Sequence, residues 1–348
     1  MSCCVALSCL AVVGVALAAV AYWFRYYADA CWSLIFAEHF GTSPATLRRQ
    51  VAWITGAGSG VGRATALELA SHGVKVVLSD VDEQAIEDVK YTLVGKATLP
   101  VCVHVQRSLV NAVALPTQEL LSERDVLVLP MDVTKFDEHS QLFEKVLERF
   151  NRLDILVNCA GRSQSARFQD INMEVHKAMF DLNVFSHVHL TQTVIPHWLE
   201  RRSGHVVVIS SVASKIALPD SATYNATKAA LHGYFEGLWS EVFDKGINVT
   251  LVCPGPVATP IRQKCFSDVL GKTESFKPAP PGKSNKMAPT RAAQLIVVAV
   301  ANKLEEIWFG PQPFVIYAYL AQYFPTIFRR HVVPSIFQKD HIAKLRDG

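Results

Sequence analysis

Tyr224 and Lys228 stand four positions apart in Tyr224-Asn225-Ala226-Thr227-Lys228. On a helix this spacing puts both side chains on one face. A free phenol titrates near ~10 and is a poor base at neutral pH. A neighbouring ammonium favours the phenolate. The pair is therefore a candidate proton donor and acceptor, and the lysine can also bind a ribose hydroxyl. Such spacing arises on many helices by chance, so its company decides its meaning. Ser211, thirteen residues upstream, follows the apolar run Val206-Val207-Val208-Ile209-Ser210. A hydroxyl at the carboxyl end of a buried strand faces the crevice where open α/β sheets bind ligands, and it would hold a carbonyl or alcohol oxygen. Ser210 is the neighbouring alternative, but alternation and spacing favour Ser211. The bland reading of Ser211 is a cap for the next turn. Asn183, a poor helix former in the helical stretch Asp181-Leu182-Asn183-Val184, has two readings. It either holds a water linking Lys228 to solvent or is a buried amide satisfying local backbone.

A second constellation lies near the start of the chain. Thr55-Gly56-Ala57-Gly58-Ser59-Gly60-Val61-Gly62 follows a short apolar strand and opens a helix. Glycines there let the backbone approach a pyrophosphate, and the helix N-terminus supplies oriented N–H donors. The strand–loop–helix context gives the motif its weight. Asp80 lies eighteen positions beyond Gly62, at the end of the second strand. A carboxylate there accepts hydrogen bonds from ribose hydroxyls and repels the phosphate that distinguishes NADP from NAD. Ser59, Val81 and Asp82 supply no basic residue for a phosphate clamp, so NAD(H) is favoured over NADP(H). Asp132, with Val133, is an adenine contact or a cap for the helix that follows.

These residues need a frame that gathers them. Val51–Thr55, Val74–Ser79, Val126–Met131, Asp154–Asn158, His205–Ser210 and Ile247–Val252 read as strands separated by helical stretches such as Val61–His72. Near-continuous Val, Ile and Leu runs mean strands buried on both faces, as in a parallel sheet covered by helices. The chain divides into an anchor at 1–27, a linker at 28–50, a catalytic domain at 51–310 with an insertion at about 91–124, and an apolar extension at 311–348. The Pro-, Lys- and Ser-rich stretch Lys272–Pro289 reads as a mobile loop of the kind from which lids are built.

In chain order, TGAGSGVG, Asp132-Val133, Asn158-Cys159-Ala160-Gly161, Asn183, Ser211, Tyr224-x-x-x-Lys228 and Pro254-Gly255 resemble the short-chain dehydrogenase/reductase family over roughly Val51–Phe309. The resemblance implies a Rossmann-type, doubly wound parallel sheet of about seven strands. It also implies an Asn183–Ser211–Tyr224–Lys228 tetrad. Cofactor contacts would come from Asn158, Ala160, Gly161 and the segment Pro254, Gly255, Val257 and Thr259, with Thr259 reaching the nicotinamide carboxamide. Cys159 stands where the family more often has a second Asn, a change that a neighbouring helix could absorb. The flanks, among them Leu34–Glu38 and Cys253–Val257, resemble the dehydrogenase/reductase member 7 group within that family, which is associated with the endoplasmic reticulum. That group commonly reads as NADP(H)-type, with basic residues after the second strand where this chain has Asp80-Val81-Asp82. Relatives commonly pair as homodimers through the helices bearing Asn183 and Tyr224.

Half of the residues are hydrophobic and only 19% are charged, which directs attention to a membrane segment. Val5–Phe24 carries no charge and is long enough for a single spanning helix. Tyr22, Trp23, Tyr26 and Tyr27 crowd its end like an interfacial belt. A cleaved signal peptide is the rival, weakened by the lack of Lys or Arg before the apolar run. Arg25, Arg48 and Arg49 favour a cytosolic body, though Asp29 and Glu38 dilute the bias. The sequons at Asn225 and Asn248 fall in a core helix and a core strand. The net charge of +3, without a long basic run, gives no reason to expect a nucleic-acid partner. Eight cysteines without CxxC or zinc-site spacing argue against a metal. Ile307–Phe328 is uncharged and aromatic but interrupted by prolines, so it reads as a substrate-pocket wall, a bilayer contact or a dimer contact. The expectation is an enzyme interconverting an alcohol and a ketone or aldehyde of an apolar substrate, such as a steroid, retinoid or long-chain ketone. A membrane-tethered nucleotide sensor or scaffold without turnover is the alternative, and it would have no need for Tyr224.

Overall fold

The computed structural model describes residues 28–95, 121–263, 265–274 and 285–336. The apolar segment Val5–Phe24, most of the insertion and part of the Lys272–Pro289 loop lie outside the described residues. Nine strands run in chain order as β1 (Val51–Thr55), β2 (Lys75–Ser79), β3 (Val126–Val128), β4 (Ile155–Asn158), β5 (Gly204–Ile209), β6 (Ile247–Pro254), β7 (Cys265–Phe266), β8 (Thr273–Glu274) and β9 (Glu306–Phe309). Seven form one sheet in the order β3-β2-β1-β4-β5-β6-β9, and every pairing within it is parallel. β7 and β8 form a separate antiparallel hairpin.

Alternation along β1 explains the two-sided burial. Ala52 and Ile54 join one core with Leu69, Ile86 and Leu295. Those come from helices α2 (Gly60–Ser71), α3 (Glu83–Leu93) and α8 (Pro289–Ala301). Val51 and Trp53 point the other way, into a core with Phe143, Trp198 and Phe235. The second set belongs to helices α4 (His139–Phe150), α6 (Ser186–Arg201) and α7 (Ala222–Val242). Side chains two apart share a face of a strand, so one apolar run feeds both cores. The order reverses at β1, whose neighbours are β2 and β4, and the carboxyl ends there frame a crevice.

The first residues of the C-terminal apolar stretch form β9, the seventh strand of the sheet, and Phe314–Tyr323 forms helix α9. The linker at 28–50 is structured. It holds helix α1 (Trp32–Phe40) and a 3-10 turn at Pro44–Leu47. Just before α1, Ala30 bridges antiparallel to Phe309, Cys31 N–H donates to Trp308 O (2.7 Å), and Gly310 N–H donates to Asp29 O (2.8 Å). The segment thereby covers the edge of β9, whose unpaired backbone groups would otherwise invite another strand.

Arg291 on α8 locks this strap. Its guanidinium donates to both carboxylate oxygens of Asp29 (2.9 and 3.1 Å) and to Glu38 Oε2 (3.0 Å), with a further bond to Glu38 Oε1. Asp29 and Glu38, which dilute the topogenic charge in the sequence, thus neutralise a cation within the fold. Among the described residues, no helix is long and apolar enough to cross a membrane. Hydrogen bonds to charged groups contribute roughly 1.5–3 kcal/mol, so Arg291→Met should lower stability by about 2 kcal/mol. It should also speed proteolytic release of residues 28–40. An unchanged denaturation midpoint and cleavage rate would show that the strap is held by its apolar contacts alone.

Candidate active site

Five chain segments meet at the carboxyl edge of the sheet. The glycine loop leaves β1, and its shape excludes side chains. Gly56 adopts φ +67°, and a Cβ there would lie 3.0 Å from the backbone of Ala160. A Cβ on Gly62 would fall 2.2 Å from Gly56 O, so α2 begins closer to the loop than any other residue permits. Thr55 braces the loop, because its Oγ1 accepts from Cys159 N–H (3.0 Å) and Ala160 N–H (3.2 Å). Its hydroxyl is a strut between β1 and β4. Ser59 caps no hydrogen bond at the start of α2, and Val61 is partly buried against the core.

Asp80 reaches under the loop. Its Oδ2 accepts from Gly58 N–H (3.0 Å) and its Oδ1 from Asp82 N–H (3.2 Å). Asp132 Oδ1 accepts from the Thr134 N–H (3.0 Å) and hydroxyl (2.7 Å), closing a local turn, while the helical turn that follows at Phe136–Glu138 is preceded by Lys135. Val133 beside it is buried. Asn158 is also turned inward: its amide donates to Thr191 Oγ1 (2.9 Å), leaving backbone to face the crevice. The wall opposite the loop comes from the end of β6. Gly255 N–H donates to Phe309 O (2.6 Å), and Val257 bridges Met287. Thr259 leans over the loop, 3.3 Å from where a Cβ of Gly60 would lie. Pro254 O receives a long bond from the Ser211 hydroxyl (3.5 Å).

Helix α7 carries Tyr224 and Lys228 to the end of β5. Lys228 is removed from water, with 5% of its surface exposed, and Tyr224 is partly buried. The Lys228 ammonium donates to Ile209 O (2.8 Å) and lies 5.8 Å from the Tyr224 ring centroid. Burial lowers the lysine to about 8. Burial likewise raises the Tyr224 phenol to about 12, while a hydrogen bond with Ser211 pulls it the other way. The ammonium's hydrogen bond goes to Ile209 O, with the phenol ring beside it.

Ser211 does two jobs, since its Oγ also accepts from Ala213 N–H (3.1 Å). Ser210 points to the opposite side, donating to Lys228 O (3.0 Å) and approaching His232. Asn183 sits in a π-helical turn, Asp181–Phe185, between helix α5 (Met173–Phe180) and α6. Its amide bonds both Arg162 N–H and Arg162 O (2.9 Å each) and donates to Thr227 Oγ1 (3.2 Å). The side chain is thus bonded to the backbone of Arg162 and to α7. A Cβ on Gly161 would lie 3.0 Å from Asn183 Oδ1 and 3.8 Å from Lys228 Nζ, so only glycine passes there.

Several participants carry no motif in the sequence. His187 holds Ala160 O through Nε2 (2.8 Å), which places the imidazole proton on that nitrogen, and burial keeps the ring neutral. The Arg162 guanidinium stacks 4.1 Å over the Phe266 ring. Phe266, Ile171, Val175 and Met179 form an apolar cluster against which Tyr224 packs. The β7 segment is bonded in place by Phe266 N–H to Ser163 O and Ser165 N–H to Phe266 O, both 2.9 Å. The Cys159 thiol meets helix α2. Burial raises its thiol to about 12, and the N–H of Gly62 at the start of α2 bonds it. The position of Arg162, directly after Gly161, was the available signal for that group. Phe266 has no local signal.

Comparison with known proteins places this geometry in context. A family profile described as short chain dehydrogenase matches residues 50–108 and 95–270. The chain is 36% identical over 301 residues to the human protein named dehydrogenase/reductase SDR family member 7, covering 86% of this chain and 81% of that one. A crystal structure of a short-chain dehydrogenase/reductase from Burkholderia phymatum in complex with NAD superposes with a TM-score of 0.63 at 25% identity, over 81% of this chain and 95% of the other. An alcohol dehydrogenase from the archaeon Thermococcus sibiricus complexed with 5-hydroxy-NADP shares the fold, with a TM-score of 0.59 at 21% identity over 76% and 97% of the two chains. The sheet order, the glycine loop and the Tyr224–Lys228 pair are thus those of a Rossmann-type oxidoreductase, and the chain belongs to the short-chain dehydrogenase/reductase family.

Proposed function

We propose that the enzyme interconverts an alcohol and its ketone or aldehyde, with Tyr224 giving or taking the proton on the substrate oxygen. The observation that carries this reading is the Tyr224 phenol bonded by Ser211, with the Lys228 ammonium behind it. In reduction, Ser211 and Tyr224 hold the carbonyl oxygen, and the neutral phenol supplies its proton as charge develops. In oxidation the phenol must first lose that proton, and Lys228 is the fixed cation nearest to it. A nicotinamide dinucleotide suits the site because the Gly56–Gly62 turn leaves a side-chain-free cradle at the start of α2. When bound, it supplies or accepts the hydride.

Asp80 supports NAD(H) over NADP(H): its carboxylate sits at the end of β2, already bonded to the loop through Gly58 N–H. Added phosphate charge there would meet a carboxylate. The apolar cluster of Ile171, Val175, Met179 and Phe266 around Tyr224 supports a substrate that is largely hydrocarbon, such as a steroid, retinoid or long-chain ketone. We further place residues 5–24 as an anchor in a bilayer, with the endoplasmic reticulum as the compartment that the member 7 resemblance suggests. A scaffold without turnover is disfavoured by the intact Ser211–Tyr224–Lys228 arrangement, since nucleotide binding alone does not call for a phenol there.

Tyr224→Phe should reduce turnover by about 10²–10⁴, the usual contribution of a positioned acid–base group. NADH binding, read by nucleotide fluorescence, should be retained. Turnover equal to the parent enzyme would exclude Tyr224 as the acid. Asp80→Ala should raise the ratio of kcat/KM for NADPH to that for NADH by about tenfold or more, the consequence of removing more than ~1.4 kcal/mol of repulsion. An unchanged ratio would show that Asp80 does not select the nucleotide.

A further inference from the structure

Helix α1 carries apolar residues on two faces. Leu34 and Ala37 are buried, yet Trp32, Phe36 and Phe40 form an exposed stripe at i, i+4 and i+8, with Phe36 and Phe40 at 65% and 77% exposure. An apolar stripe on a helix ordinarily faces a packed surface. The stripe does not stand alone. Trp32 N–H donates to the Tyr319 hydroxyl (3.1 Å), and the Tyr319 ring stacks on Tyr323, with centroids 6.2 Å apart. Tyr323, Phe324 and Ile327 then continue the exposed apolar surface beyond α9. Arg329, Arg330 and His331 follow immediately and are exposed. Contiguous apolar surface of this kind marks an interaction site rather than ordinary scatter.

Chain length identifies the occupant. Ala28 is buried against Val315, so the described chain begins on this same side of the molecule. Only four residue steps separate Phe24, the end of the uncharged run, from Ala28. A fully extended chain covers at most ~3.6 Å per residue, which limits the separation to about 14 Å. The polar headgroup layer on each side of the hydrocarbon is itself about 5–8 Å thick. If residues 5–24 occupy hydrocarbon, the α1 and α9 surface cannot stand clear of the interface. Trp and Tyr side chains suit that depth, and two arginines at the margin suit anionic headgroups.

We propose that the exposed surface of α1 and of the chain from Tyr323 to Arg330 lies on the bilayer, fixing the orientation of the catalytic body. This rests on reading residues 5–24 as a membrane anchor. Substrate held in lipid would then be delivered to an enzyme of fixed tilt.

The test is lipid crosslinking of the full-length protein reconstituted in phosphatidylcholine–phosphatidylserine vesicles doped with a phospholipid bearing an acyl-chain diazirine. Peptide mapping should place crosslinks within residues 32–40 and 314–328 as well as within 1–27. Phe36→Asp combined with Ile327→Asp should lower the yield in the first two regions by about tenfold while leaving 1–27 labelled, because an acidic residue resists entry into the acyl boundary. Omitting phosphatidylserine should lower the yield at 314–328 more than at 1–27. Labelling confined to 1–27 would overturn the docked orientation but retain the anchor. Absence of labelling at 1–27 would overturn the anchor itself. A disulfide-linked dimer that forms under copper–phenanthroline oxidation in the same vesicles only when Phe36→Cys is introduced would instead assign the surface to a second copy. Should the double variant fail to fold, the parent map alone decides.

Discussion

A lysine ammonium with almost no access to water is the constraint around which the site is built. An unpaired buried cation is costly, and the chain answers with fixed hydrogen-bond geometry rather than with a counter-carboxylate. Lys228 donates to Ile209 O at the end of β5, so the helix carrying it is tied to the strand that presents Ser211. Gly161 lies beside the ammonium, where a Cβ would crowd Asn183 Oδ1 at 3.0 Å. Gly161 in turn is held by its neighbours. Thr55 grips the N–H groups of Cys159 and Ala160, His187 grips Ala160 O, and Asn183 grips both backbone groups of Arg162. A change in any of these would be felt at Lys228 Nζ.

The same burial shapes the acid–base chemistry. With the lysine lowered to about 8 and the phenol raised to about 12, the protein alone holds Tyr224 as a neutral donor. That state is ready for reduction. For oxidation, the phenolate must gain stabilisation that the isolated site does not provide, and positive charge beside the phenol would provide it. Asn183 acts through backbone and through Thr227, which makes it a positioning residue for the turn and for α7.

What the sequence makes legible are features whose physics is local. The glycine loop announces itself because positive φ and close approach demand glycine at fixed offsets. The sheet announces itself because strands covered on both faces need unbroken apolar runs. Ser211 could be preferred to Ser210 by alternation alone, and the two hydroxyls do point to opposite sides. The features that escape the sequence depend on distant partners. β9 is four residues long and runs into an apolar helix, so its pairing with β6 leaves no period to read. The strap at 28–40 is held by Arg291, more than 250 positions away, and a charge pattern cannot announce such a partner. The bonds from Asn183 to Arg162 likewise join positions 21 apart, which no local pattern announces.

On the proposed function, protonated Lys228 donates to the ribose of the dinucleotide, and burial brings the loss of that proton down to about 8. The most direct measurement is the pH dependence of kcat/KM for NADH in the parent enzyme and in Lys228→Met. A cation donor to the ribose is lost as pH rises through the lysine pKa of the unliganded enzyme, so the parent profile should be flat below and fall above about pH 8. The variant should be low throughout and lack that break. A parent profile that stays flat to pH 10, or a variant that keeps the same break, would contradict the account.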